Sequence, residues 1–111
     1  MNRDRSYLLD IHQYGQDVLE FVAGMSEADF IADLKTQRAV VYCIAVIGEA
    51  AKKLSPEFRG QSSHIPWKAI AGMRDKCVHD YRQVNPVRVW QVVQTDVLEL
   101  LQAIEPFLPI R

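Results

Sequence analysis

Apolar residues along this chain recur at three- and four-residue spacings and nowhere alternate with polar ones, which is the rhythm of helices rather than strands. The first stripe, Tyr7, Leu8, Ile11, Tyr14, Val18, Phe21 and Val22, predicts a helix from about Asp4 to Ala23, with Gly24 as its stop. Ser26 can cap a short turn through Phe30. A second helix, from about Asp33 to Leu54, carries the unbroken apolar run Ala39 to Ile47, and Ser55-Pro56 ends it. The polar stretch Glu57 to His64 reads as a loop, and Pro66 suits the first turn of a third helix reaching about Tyr81. After a loop at Arg82 to Val84, Asn85-Pro86 opens a fourth helix. Its stripe is Val89, Trp90, Val93, Val97, Leu100, Leu101 and Ile104, before Pro106 and Pro109 close it.

The predicted fold is therefore all-α, an antiparallel four-helix bundle in a single domain of 111 residues. Because the second helix is apolar around most of its circumference, it must be covered on more than one side. Either the other three helices enclose it, or a second copy of the chain covers part of it in a two-fold homodimer. The run Ala39 to Ile47 is too short to cross a bilayer, and Met1-Asn2-Arg3-Asp4-Arg5 lacks the apolar segment of a signal peptide. A cytoplasmic protein with no membrane partner is the expectation. Cys43 and Cys77 sit within apolar helical patterns, where buried free thiols are the usual reading and a disulfide the rarer one.

Net charge is -1, which argues against holding nucleic acid by bulk electrostatics, but the charge is unevenly placed. Residues 52 to 88 hold eight basic side chains against three acidic ones, a surplus that the rest of the chain reverses. Solvated helix faces would account for this, and so would a polyanionic partner.

Inside the basic segment lies Met-Arg-Asp-Lys-Cys-Val-His-Asp-Tyr, residues 73 to 81. The guanidinium of Arg74 suits phosphate oxygens, and the imidazole of His79 titrates where it can take a proton from a ribose hydroxyl or return one to a leaving oxygen. On a straight helix Ile70, Met73, Cys77 and Tyr81 share one stripe, with Arg74 on its flank and His79 almost opposite Ile70. Asp75 precedes His79 by four residues and would touch it across one turn, fixing its tautomer. Arg74 and His79 would differ by about 140° around that axis, so convergence needs a long reach, a distorted last turn, or a two-fold cleft shared between subunits. The structural alternatives are a surface histidine at His79, an ion pair of Arg74 with Glu49, and packing for Tyr81. Asp75, Cys77 and His79 do not make a convergent zinc set, and there is no glycine-rich phosphate loop, so neither metal nor cofactor is expected.

The spacing Arg-x4-His-x-Tyr resembles the signature of the HEPN superfamily, in particular its HepT-like ribonuclease toxins. Further stretches resemble the same family in the same order: Thr36-Gln37 with Ala39-Val40-Val41, Ile47-Gly48-Glu49-Ala50 with Leu54, Ile65-Pro66-Trp67, and Val89-Trp90. The resemblance spans roughly Tyr7 to Leu108. It implies a HEPN-like helical fold, a homodimer with a composite site, and RNA as substrate, cut without a metal by Arg74 and His79; by their positions Asp75 and Glu49 are the acids that could support these two, Glu49 by holding Arg74 in place. It also implies a minimal nucleotidyltransferase antitoxin of the MntA type that would AMPylate Tyr81. Asp75 departs from the asparagine more usual in the family. A different class stays open, a non-catalytic HEPN module that binds nucleotide or a nucleotidyltransferase without cutting RNA.

Overall fold

Gly24 has φ +79°, a left-handed conformation cheap only for glycine, and it closes helix α1 (Asp4–Val22). Helix α2 (Glu27–Ile31) opens with a reciprocal capping box between Ser26 and Asp29. Helix α3 (Leu34–Lys52) starts at Asp33, whose carboxylate accepts from the Thr36 backbone N–H and hydroxyl; these two bonds hold the Asp33 carboxyl below its usual range. A computed structural model describes residues 3–80 and 83–108, the side chains of His79 and Asp80 apart.

Two predicted features change. The stretch after Ser55-Pro56 is not a loop throughout, because Pro56–Gln61 forms helix α4, with the Ser55 hydroxyl capping the Phe58 N–H and Pro56 in the first turn. Ser-Pro-Glu is a helix start as well as a helix stop. The predicted third helix is also divided. Trp67–Ala71 forms α5, the chain breaks step at Gly72, and Met73–Cys77 forms the short α6. The helix does not reach Tyr81. Val78 is extended (φ -123°, ψ 144°), and Val78–Asp80 is strand β1, paired antiparallel with β2 (Gln83–Val84) through Val78 opposite Val84 and Asp80 opposite Gln83. β-Branched valines fit a strand better than the frayed end of a short helix. Gln83 and Val84, expected in a loop, are therefore the second arm of a hairpin, while Tyr81 and Arg82 lie outside the described residues.

Asn85 caps α7 (Pro86–Gln91), as its sequence predicts, by accepting from the Arg88 N–H. The helix then widens into a π-helical stretch, Val92–Val97, narrows to α8 (Leu98–Ile104), and ends in a 3-10 turn, Glu105–Phe107. The fold is all-α, a bundle built from α1, α3, the α5–α6 pair and the α7–α8 rod, with the small hairpin as an appendage.

Helix α3 is central, as its apolar circumference requires. Val40, Ile44 and Ile47 are wholly buried between α1 on one side and α5–α6 on the other. Its outer face is left uncovered within one chain, with Leu34 at 53% and Tyr42 at 62% exposure, and Phe21 of α1 at 44%. Several polar groups tie the ends together. The Gln37 amide, buried, donates to the carbonyls of Phe30 and Ile31 and so caps the end of α2. The Asp4 carboxylate, also buried, accepts from the backbone N–H and hydroxyl of Ser55, fastening the start of α1 to the α3–α4 junction. Trp67 donates its indole N–H to the Ser62 hydroxyl, which donates to the Phe58 carbonyl. No helix among the described residues is long and apolar enough to cross a membrane.

At Gly48, α3 passes so close to α5 that a β-carbon there would stand 3.0 Å from the Ala71 carbonyl oxygen. We expect Gly48→Val to lower unfolding free energy by roughly 1–3 kcal/mol in urea titration, the range for overpacking against a rigid neighbour. Gly60→Ala, with nothing within 4 Å of the added carbon, should cost nothing. Equal losses at both positions would show that the α3–α5 crossing is not tight.

Candidate functional site

Five residues cannot hold a helix by themselves, so α6 exists because the tertiary structure holds it. Met73 and Cys77 form its inner stripe, both buried. The Cys77 carbonyl accepts from the Asn85 N–H at 2.8 Å, which closes the hairpin behind the helix. On one flank Lys76 donates to Asp96 of the π-helical stretch at 3.0 Å. Arg74 leaves from the other flank, since two residues advance a helix by roughly 200°.

The Arg74 side chain is 46% exposed, and its Nη2 stands 3.5 Å from the Asp75 carboxylate, itself 77% exposed. So long and solvated a contact contributes little, and it leaves most of the guanidinium donors available to an anion. Arg74 therefore has no structural duty comparable to that of Arg59, whose guanidinium donates to the carbonyls of Ala51 and Lys52 at the end of α3.

His79 is placed by its backbone in β1, two residues past Cys77, where α6 ends, at an irregularity of the ladder between Val78 and Asp80. Two expectations built on a continuous helix fail for that reason: His79 does not sit on a helix face opposite Ile70, and Asp75 is not one helical turn from it. Tyr81 falls outside the described residues. The expected Glu49–Arg74 pair does not form either. Glu49, on the exposed face of α3, pairs with Lys52 at 2.9 Å, and that lysine lowers the Glu49 carboxyl below its usual range.

Both cysteines are free and buried. Burial pushes the Cys77 thiol up to about 11, with the nearby Asp96 adding to the effect, and burial likewise raises Cys43. Neither is a nucleophile near neutral pH. Among the described residues no three histidine, cysteine, aspartate or glutamate side chains gather as a metal site. Lys76 and Asp96 are the pair that sequence reasoning did not single out. They lie twenty positions apart on different elements, so no spacing rule links them.

A family model for HepT-like ribonucleases matches residues 11–107. The chain belongs to this family. Two similar proteins bear the name "Putative RNase". One, from Caldanaerobacter subterraneus subsp. tengcongensis, is 41% identical over 97% of this chain and 96% of its own length. The other, from Methanocaldococcus jannaschii, is 38% identical over 91% of this chain and 84% of its own. A "Probable ribonuclease HepT" of Thermococcus cleftensis is 36% identical over 86% of this chain and 87% of its own. No solved structure gives a significant match. For this HepT-like chain the family assignment rests on nearly its whole length, not on the motif alone.

The thiols supply a check on the placement of α6. In the folded protein at pH 8, Cys43 and Cys77 should react with an aromatic disulfide reagent no faster than the protein unfolds, and both should react at once in denaturant. Rapid native reaction of Cys77 would mean that α6 does not seal its inner stripe.

Proposed function

We propose that this protein is a metal-independent endoribonuclease in which Arg74 and His79 act on one RNA phosphodiester linkage. The observation that carries this reading is the exposed Arg74 guanidinium, held on a short helix anchored by the buried Met73 and Cys77, with the strand bearing His79 directly after it. His79 takes the proton from a ribose 2′-hydroxyl. The 2′-oxygen then forms its bond to phosphorus while the bond to the 5′-oxygen breaks, and that oxygen leaves with a proton from an imidazolium. Arg74 stabilises the extra negative charge on the pentacoordinate phosphorus between these steps. The products are a 2′,3′-cyclic phosphate and a 5′-hydroxyl. No water or metal enters the cleavage step.

A homodimer supplies two imidazoles, so that one can serve as base and the other as acid. The exposed Phe21 of α1 and Leu34 and Tyr42 of α3 support such an assembly, because large apolar side chains left in solvent are what a second copy would cover. The cell biology we infer is that of a toxin, silenced when a minimal nucleotidyltransferase antitoxin AMPylates Tyr81. A nucleotide on that hydroxyl would bring a negative phosphate and bulk to the cleft served by Arg74. Asp75, the neighbour of Arg74, holds the guanidinium loosely and gives way to phosphate on binding.

The protein should cut RNA in excess EDTA and leave DNA intact, since DNA lacks the attacking hydroxyl. His79→Ala and Arg74→Ala, melting as the parent does, should each slow cleavage by about 100-fold or more. Parental rates in both folded variants would end this reading. Incubation with the antitoxin and ATP should add one adenylate to Tyr81 by mass spectrometry and abolish cleavage; an unmodified Tyr81 in a silenced protein would refute the AMPylation part alone.

A further inference from the structure

Helix α6 packs against α3 and α7, but toward α8 an open slot of about 330 Å³ separates Ile70 and Met73 from Leu100 and Ala103. On that side an ion pair stands where side-chain packing is incomplete. Lys76 Nζ donates to the Asp96 carboxylate at 3.0 Å, and both residues line the slot. The π-helical stretch is what brings Asp96 there. Val93, Val97 and Leu101 are buried at four-residue intervals, and on an α-helix four residues advance about 400°, so the stripe would drift by roughly 40° at each step. The wider i→i+5 turns of Val92–Val97 take up that drift, and Asp96, beside Val97, is carried to the flank that meets α6.

We propose that Asp96, acting through Lys76, is a positioning residue for the proposed RNA cleavage: the ion pair fixes the rotation of α6 about its own axis and with it the direction in which Arg74 meets the phosphate. This rests on the reading of Arg74 as the cation that serves the reaction. With five residues, α6 is little more than one turn and moves as a unit, so a rotation that carries Lys76 away from Asp96 carries Arg74 through the same angle on the opposite flank. Met73 and Cys77 hold the inner stripe, yet apolar contacts are non-directional and resist such a roll poorly, least of all beside an unfilled slot. A charge-assisted hydrogen bond from a separate element supplies the missing direction. Because the pair is partly exposed, it adds little to global stability. Its loss should loosen α6 without unfolding the chain.

Cleavage kinetics and thiol reactivity of the full chain test this. Asp96→Asn and Lys76→Met break the pair at nearly constant side-chain size and should melt close to the parent. Each should lower kcat about tenfold and leave KM within about twofold, since a misdirected Arg74 loses stabilisation of the transition state rather than affinity for RNA. In the Arg74→Ala background, Asp96→Asn should cost nothing more. Exchange of the charges, Lys76→Glu with Asp96→Lys, should recover most of the loss. Cys77 should react with an aromatic disulfide reagent several-fold faster in both single variants while Cys43 stays slow. The Asp96 charge disfavours the Cys77 thiolate and the Lys76 charge favours it, so acceleration in both variants comes from opening of α6. Parental kcat in both folded single variants overturns the proposal. So does a loss that multiplies with that of Arg74→Ala, or faster cleavage with a lower KM in Asp96→Asn, which would make Lys76 a phosphate contact that Asp96 holds back. If a single variant does not fold, the charge exchange decides, with kcat near the parent's in support and a tenfold loss against. A parent that cuts no RNA refutes the proposed reaction and this role together, whereas a parent that cuts no faster than its variants refutes this role alone.

Discussion

The distance between α3 and α5 governs the rest of this molecule. With only a hydrogen at Gly48, the central helix comes within van der Waals reach of the Ala71 carbonyl, and the next residue, Gly72, is where the chain turns from α5 into α6. That approach fixes where α6 begins and which of its faces is buried. Five residues gain too few internal hydrogen bonds to be a helix alone. Anchored by Met73 and Cys77 inward, by Asp96 on Lys76 and by Asn85 on the Cys77 carbonyl, they become a rigid stub from which Arg74 projects.

Several residues that carry the family resemblance turn out to build the frame. Gln37 closes α2, Gly48 permits the crossing, Trp67 is pinned through Ser62, and Trp90 packs 5.4 Å from Phe30, ring centre to ring centre. Each answers a requirement of burial or hydrogen-bond satisfaction. Arg74 answers none of these. It stands half in solvent, with one long contact to the exposed Asp75.

The uneven charge of the chain acquires a geometry in the same way. Lys52 is taken up by Glu49, Arg59 by the end of α3, and Lys76 in part by Asp96, so the basic surplus of the middle segment is not one undivided field. Around α6 it falls on two flanks, Arg74 on one and Lys76, near Arg88 of α7, on the other.

Periodicity alone established an all-helical chain, a central second helix, and the caps at Ser26 and Asn85, because amphipathic stripes and capping side chains act over one or two turns and leave their mark in local order. It also placed Arg74 beside a buried stripe of Met73 and Cys77. What it could not show was where the third helix gives way. Val78 to Asp80 fits a helical stripe as well as it fits a strand, and the choice fell to a hydrogen-bonding partner at Gln83–Val84 that no short-range pattern announces. The same holds for Glu49, which chose Lys52 one turn away over Arg74 on another element, and for Lys76, which found Asp96 twenty residues on. Contacts within a turn are written in spacing; contacts between elements depend on the angles and distances at which helices cross, and only the packed core decides those.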